Sequence, residues 1–158
     1  MANRPLRVLT VFLASPGDLA EERKIAREVV DQLNKAFRGI GWLVELLGWE
    51  DTLPGFARPQ DVINQEVESC ELFVGLLWRR WGQPTGSPTY TSGFEEEFEN
   101  ARRRRLAGGA PELWIFFKAV DPALIEDAGD QLKRVLAFRK AQETSKELYY
   151  REFADASD

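Results

Sequence analysis

The sequence predicts an α/β domain in which helices lie on both faces of a five-stranded parallel sheet. Short, nearly wholly apolar segments alternate with longer segments of helical periodicity along the 158 residues. An apolar segment without polar alternation is typical of a strand that is buried on both faces, as in a parallel sheet. The alternation predicts a doubly wound sheet with strand order 2-1-3-4-5, and the length suits a single domain over residues 1–158.

The first strand is predicted over residues 6–14, and a helix is expected to follow it directly. Ser15 fits a helix N-cap, Pro16 the first helical position, and Asp18 the third, where a carboxylate can reach back to the cap. This helix should run to about Phe37. Its apolar stripe consists of Ile25, Val29, Leu33 and Phe37.

The rest of the chain repeats the alternation of strand and helix. Strands are predicted over residues 42–48, 72–77, 113–117 and 148–153, and helices are predicted to begin at Pro59, Ser92 and Gln131. A short or irregular helical segment is expected after Asp121-Pro122. The loop over residues 78–91 is long for a connection in a compact domain, which favours a functional role.

The helix that begins at Ser92 carries the acidic sequence on which the functional prediction depends. Ser92 followed by Glu95 predicts a capping box, and Phe94, Phe98 and Ala101 define a buried face. Glu97 lies roughly 65° from the centre of that face, closer than the other carboxylates, at about 100° per residue. We therefore expect Glu97 to be held against the domain and its neighbours Glu95, Glu96 and Glu99 to be solvated.

In such sheets a ligand binds beyond the carboxyl ends of the strands, between strands 1 and 3. The loops after those two strands contain Ser15 to Asp18 and Arg79 to Ser92. Ser15 and Asp18 are candidates for contact with a phosphate or ribose, although helix capping alone explains both. Arg80 could bind a diphosphate and Trp81 could stack on a base, whereas the structural alternative has Trp81 packing the loop. Ser92 completes the predicted ligand-binding set.

The composition limits the catalytic and metal sites that this chain can form. The chain has no histidine and only one cysteine, Cys70, so it can form neither a Ser-His-Asp triad, nor a His-based zinc site, nor an internal disulfide. Any general acid or base must be Asp, Glu, Lys, Tyr or Cys, and of these the composition favours a carboxylate. The single cysteine indicates the cytoplasm. The net charge of −5 argues against direct nucleic-acid contacts, and the lack of a membrane-length apolar run argues against membrane contacts. We expect neither a cofactor nor a metal.

Five motifs lie at residues 11–18, 21–23, 70–77, 80–82 and 92–98. Together they are similar to those of an uncharacterised N-terminal domain family related to Toll/interleukin-1 receptor (TIR) domains. This family is commonly fused to STAND-type signalling NTPases and repeat arrays in bacteria. The resemblance implies a flavodoxin-like sheet, a role in signalling or defence, and self-association, for which TIR domains use a loop that corresponds to Trp49, Glu50 and Asp51.

Many TIR domains also cleave NAD at the nicotinamide–ribose bond with a glutamate early in the helix after strand 3. The segment from Glu97 to Ala101 resembles the second half of that motif, whereas Thr91, Gly93 and Phe94 differ from the first half. The resemblance thus implies Glu97 as the catalytic residue and NAD as the candidate substrate.

Three hypotheses follow: a self-associating effector that cleaves NAD or a related nucleotide when assembled, a non-catalytic interaction module, and a domain that catalyses nucleoside deoxyribosyltransferase-like glycosyl transfer. We expect the domain to be the N-terminal part of a longer protein with attached NTPase or repeat domains.

Overall fold

A computed structural model of the chain describes residues 5–48 and 59–158. The strands form one sheet in the order β2-β1-β3-β4-β5, and every neighbouring pair is parallel. They are β1 (Arg7–Ala14), β2 (Trp42–Leu47), β3 (Leu72–Leu77), β4 (Glu112–Lys118) and β5 (Tyr149–Phe153). The predicted α/β class and strand order are confirmed, and the fold is consistent with a flavodoxin-like sheet.

Helices alternate with the strands along the described chain. They are α1 (Ala20–Phe37), α2 (Pro59–Ser69), α3 (Gly93–Gly108), α4 (Pro122–Glu126) and α5 (Asp130–Ser145). Asp121 caps α4 by accepting a hydrogen bond from the backbone N–H of Ala123, and Gly109 ends α3 in a left-handed conformation. The predicted helix starts at Pro59 and Ser92 are therefore confirmed within one residue.

The largest core lies on the sheet face that α2, α3 and α5 cover. Phe12, Phe73 and Phe117 project from the sheet into this core. The helices contribute Ile63, Val67, Phe94, Phe98, Ala101, Leu132 and Val135. Phe94 and Phe98 form the buried face predicted for the acidic helix, and each of the two is at most 4% exposed.

The opposite face is covered by α1 and has a smaller core. Its buried members are Leu13, Leu19 and Leu76. The apolar stripe predicted for α1 is only partly covered, because Val29 is 47% and Leu33 is 41% exposed. Ala26 of α1 packs against this core. α1 also contacts the edge strand β2 through Asn34, which donates to the Val44 carbonyl (2.8 Å) and accepts the Val44 N–H (2.7 Å).

The start of α1 differs from its prediction. A 3-10 turn over Gly17–Leu19 precedes the helix, and neither Ser15 nor Asp18 caps it with a side chain. Pro16 and Gly17 thus redirect the chain before α1 begins. At α3, by contrast, Ser92 caps as predicted and accepts the Glu95 N–H (3.2 Å).

Trp49, Glu50 and Asp51, which the TIR resemblance implies for self-association, lie outside the described residues. None of the helices within residues 5–48 and 59–158 has both the length and the apolar character needed to cross a membrane.

Candidate functional site

A cleft of about 540 Å³ opens at the carboxyl ends of β1 and β3. One wall is the turn after β1, with Ser15, Pro16 and Gly17, and another is the start of α3, with Glu97. The loop after β3 contributes residues 80–85 to its lining. The two segments that the sequence analysis expected to meet at one edge of the sheet therefore do meet there, and Ser15, Arg80, Trp81 and Glu97 share one cavity.

Glu97 is the ionisable side chain that is most strongly perturbed by this environment. It is 8% exposed, and its Oε1 atom accepts a hydrogen bond from Gln60 Nε2 at 3.1 Å. Burial raises the pKa of Glu97 from 4.5 to about 7, while the Gln60 hydrogen bond and the positive charge of Arg23 act in the opposite direction. Glu97 can therefore change its protonation state near neutral pH.

Glu96 is buried, which corrects the expectation that it is solvated. Its side chain is 4% exposed and accepts hydrogen bonds from Asn64 Nδ2 (3.1 Å) and from Thr85 Oγ1 (2.6 Å). The reason is that α2 and the loop after β3 cover the side of α3 next to its apolar face. Glu95 lies nearer the surface and accepts from both the backbone N–H and the hydroxyl of Thr91.

Ser15 lines the cleft while being held from behind by an arginine. Arg23, which is 3% exposed, donates from Nη1 to the Ser15 hydroxyl (2.8 Å) and to the Ser15 carbonyl (3.0 Å). The guanidinium thus holds the backbone of this turn in place. The sequence had instead predicted that Ser15 stabilises the turn as a helix cap. A positive charge buried behind Ser15 also favours an anion in the cleft.

Asp18 connects the two loops and does not line the cleft. Its Oδ2 atom accepts the backbone N–H groups of Arg79 (3.0 Å) and Arg80 (3.1 Å). Asp18 instead lines a neighbouring cavity of about 530 Å³ beside the start of α5, and Arg80 lies between the two cavities. The structure therefore gives Asp18 a role in loop positioning, at some distance from Glu97.

Arg80, Trp81 and Ser92 differ in how accessible they are. Arg80 is exposed, and its guanidinium has no hydrogen-bond or ion-pair partner among the described residues. Trp81 is 4% exposed and packs against Phe94 with ring centroids 5.7 Å apart, which agrees with the alternative that it packs the loop. Ser92 is fully buried as the cap of α3 and does not line the cleft. Of these three, Arg80 is free to contact a ligand.

Three site residues were absent from the predicted set: Gln60, Gln131 and Arg23. Gln131 Oε1 accepts the backbone N–H groups of Trp81 (2.8 Å) and Gly82 (3.0 Å), so it holds the loop after β3 against α5. A glutamine at the start of a helix gives no signal for such a contact. Arg23 did carry a signal, because it is a cation within one of the motifs that resemble the TIR-related family.

Other polar groups nearby are structural. Cys70 is fully buried at the end of α2, and burial raises the pKa of its thiol to about 11, so it is not an activated nucleophile. Arg104 donates to the carbonyls of Val67 and Cys70, which ties α3 to the end of α2. Within residues 5–48 and 59–158, no three cysteine or carboxylate side chains form a group that could hold a metal ion.

Comparison with known proteins identifies the family but no function. No curated protein sequence matches the chain at a significant level. Residues 10–158 match the family described as Domain of unknown function (DUF4062). Because this match covers both walls of the cleft and nearly the whole chain, the protein belongs to the DUF4062 family.

Proposed function

We propose that this domain is a TIR-like signalling or defence effector that self-associates and, when assembled, cleaves NAD or a related nucleotide at the N-glycosidic bond. The observation that carries the proposal is Glu97, a buried carboxylate with a pKa of about 7 on the wall of an open cleft. A strongly perturbed carboxylate inside a cleft is a physical indication of a functional site.

The proposed reaction breaks the bond between the ribose C1′ atom and the nicotinamide nitrogen. The electron pair of that bond goes to the nicotinamide ring, and positive charge develops on the ribosyl group as in other glycosyl transfers. Water then adds to C1′ and releases a proton. An ionised Glu97 next to C1′ stabilises this positive charge, and the burial of Glu97 strengthens the electrostatic interaction.

The protonation state of Glu97 agrees with this role. A pKa of about 7 leaves the carboxyl group divided between its neutral and ionised forms at neutral pH. The nicotinamide ring of NAD carries a positive charge, which lowers the pKa of a nearby carboxyl group. Binding of the substrate would therefore select the ionised form that the reaction needs.

The other residues of the cleft suit the rest of such a substrate. Arg80 is exposed and has no partner among the described side chains, so it is available to a diphosphate. Arg23 lies behind Ser15 and adds positive charge to the same wall. The proposed setting is the cytoplasm, as part of a longer polypeptide in which an attached NTPase or repeat array brings copies of the domain together.

One observation favours the second candidate function, a non-catalytic interaction module. The sheet face covered by α1 exposes large apolar side chains, among them Trp114 at 42% and Tyr149 at 53%. Exposed aromatic residues in a group are typical of interaction surfaces.

A third candidate is deoxyribosyltransferase-like transfer. It would use the same carboxylate, with a nucleobase in place of water as the acceptor.

The test is nicotinamide release from NAD by the assembled full-length protein. We expect Glu97→Gln to lower the rate by about 100-fold or more, the order of magnitude for loss of one key catalytic group. Glu99→Gln is the matched control, because Glu99 lies on the same helix but pairs at the surface with Arg102. Glu99→Gln should change the rate by less than about twofold relative to the wild type.

Release that survives Glu97→Gln would remove Glu97 from the mechanism. The absence of release by any assembled form, combined with measurable self-association, would support the interaction module. Transfer of the ribosyl group to an added nucleobase, faster than hydrolysis, would support the transferase.

A further inference from the structure

A buried polar network between α2 and α3 contacts Glu97, and two of its members, Gln60 and Thr85, also line the cleft. Gln60 and Asn64 lie one turn apart on α2, and Glu96 and Glu97 are consecutive on α3. Gln60 is 6%, Glu96 4% and Glu97 8% exposed. Buried polar groups are costly unless they are hydrogen-bonded, so the direction of each bond in this network matters.

The hydrogen bonds form one continuous chain. Thr85 Oγ1 donates to Glu96 Oε2 (2.6 Å), and Asn64 Nδ2 donates to Glu96 Oε1 (3.1 Å). The carbonyl oxygen of Asn64 then accepts from Gln60 Nε2 (3.2 Å), and the same nitrogen donates to Glu97 Oε1 (3.1 Å). Each of the two carboxylates is an acceptor, and the two carboxamides stand between them.

Glu96, the acceptor at one end of the network, fixes the direction of every hydrogen bond in it. A carboxylate offers no hydrogen, so Asn64 must turn its NH₂ group toward Glu96 and its oxygen toward Gln60. Gln60 must then present its NH₂ group to both Asn64 and Glu97. If the Gln60 carboxamide were reversed, its oxygen would face the Asn64 oxygen and the Glu97 carboxylate, and both contacts would be repulsive.

Gly93 provides room for this arrangement. A Cβ atom at residue 93 would lie 2.8 Å from Gln60 Oε1, closer than real Cβ contacts allow. The Gln60 oxygen therefore occupies space that exists only because residue 93 is glycine. The carboxamide is restrained by its hydrogen bonds, and its oxygen lies close to the backbone of residue 93.

We propose that Asn64 and Glu96 are positioning residues that orient the Gln60 carboxamide so that it donates a hydrogen bond to Glu97. A donor at this point favours the ionised carboxylate over the neutral carboxyl group. The catalytic consequence rests on the proposed function, because an ionised Glu97 is the form that would stabilise positive charge. The orientation itself requires no substrate and is measured without one.

The charged groups around Glu97 determine which variants give a clear answer. Arg23, on α1, lowers the pKa of Glu97, whereas Glu96 on α3 and Glu66 on α2 raise it. Replacing Glu96 would change charge and orientation together. Asn64 is uncharged, so its replacement removes none of these three charged side chains, although Glu96 loses the hydrogen bond that Asn64 donates.

The experiment is a titration of the Glu97 side-chain carboxyl carbon by NMR in the intact protein, with the resonance assigned from Glu97→Gln. We expect Asn64→Ala to raise the pKa of Glu97 by about 0.5–1 unit, because Gln60 is then free to reverse. Gln60→Leu removes the donor altogether and should raise the pKa at least as far. Asn64→Ser, which also lacks the carboxamide, is the second variant if Asn64→Ala does not fold.

Asn34→Ala is the matched control. Asn34 also makes two hydrogen bonds, to the backbone of Val44, but it lies on the α1 face of the sheet. Its loss should lower stability and leave the pKa of Glu97 unchanged, which separates positioning from a general structural effect.

Two results overturn the proposal. A pKa that is unchanged in Asn64→Ala but raised in Gln60→Leu shows that Gln60 is oriented without Asn64. A pKa that is unchanged in both shows that Gln60 does not donate to Glu97. Failure of nicotinamide release together with the expected pKa changes rejects the proposed function and leaves the positioning role established.

Discussion

The two faces of the sheet are built differently. On the face covered by α2, α3 and α5, Phe12, Phe73 and Phe98 are each at most 1% exposed and their rings stack or meet edge to face. On the face covered by α1, Trp114 and Tyr149 lie opposite each other on neighbouring strands and remain about half exposed. Parallel sheets are normally covered on both faces, so the contrast is a property of this domain.

This difference shows where the domain obtains its stability and where its candidate site lies. The densely packed face holds α2 and α3 together, and the buried polar network and Glu97 lie where these two helices meet the sheet edge. Rigid surroundings of this kind would hold the proposed catalytic residue in place. The open face supplies apolar surface that an interaction can use. Stability measurements can test this division directly.

The largest expected effect is the loss of Phe98. Phe98→Ala should lower the free energy of unfolding by about 3–5 kcal/mol, because it leaves a cavity beside Phe138, whose ring centroid is 4.9 Å away. Trp114→Ala removes a larger side chain but should cost about 1 kcal/mol or less, since 42% of that residue is exposed. Denaturant unfolding measures both, and Phe98→Leu serves if the alanine variant does not fold. Equal losses at the two positions would contradict the division between the faces.

The next effect concerns Glu97 and depends on pH. Its pKa is about 7 in the folded protein and 4.5 in an unfolded chain, so its ionisation opposes folding. The stability that the neutral form provides is complete below pH 4.5 and is lost as the pH rises through 7. Glu97→Gln cannot ionise, so it should be more stable than the wild type by up to about 3 kcal/mol above pH 7, with little difference near pH 4.

Urea unfolding at a series of pH values measures this difference. Glu99→Gln is again the control, and its stability should follow the wild type across the range. A Glu97→Gln advantage that does not change with pH would show that the carboxyl group is not perturbed by burial.

A smaller effect is expected from the ion pair that supports the open face. Lys118 Nζ lies 2.5 Å from Glu22 Oε1, and the two side chains are 18% and 7% exposed. Glu22→Gln should cost about 1–3 kcal/mol, between the values for exposed and fully buried pairs. The loss should shrink in Glu22→Gln/Lys118→Met, because the lysine charge is then no longer buried without a partner. Thermal unfolding of the single and double variants tests this, and equal losses would indicate that the pair contributes only packing.

Much of the fold could be predicted because apolar segments and helix signals are local. β3 was predicted at residues 72–77, as observed, and the start of α3 followed from Ser92 and Glu95. The meeting of the two loops at one edge followed from the parallel topology. The start of α1 was wrong, because the fixed backbone of Pro16 and the contact from Arg23 to Ser15 favour a 3-10 turn that no capping pattern reveals.

The burial of Glu96 could not be predicted for a related reason. Its angle on α3 placed it away from the sheet, and only the position of α2 makes that side an interior surface. Gln60 contacts Glu97, which is 37 positions away in the sequence, and Gln131 contacts Trp81, which is 50 positions away. Contacts between such distant positions leave no local sequence pattern. The catalytic role of Glu97 and the self-association loop at Trp49 remain predictions.

The bond from Asp18 to the loop after β3 has a consequence for the whole entrance. A single oxygen receives two consecutive amide hydrogens, so the segment that leaves the first strand and the segment that leaves the third share one anchor. A movement of either segment away from the other must stretch or break these two hydrogen bonds. Loss of the Asp18 carboxylate would therefore remove a connection between the two loops that flank the cleft.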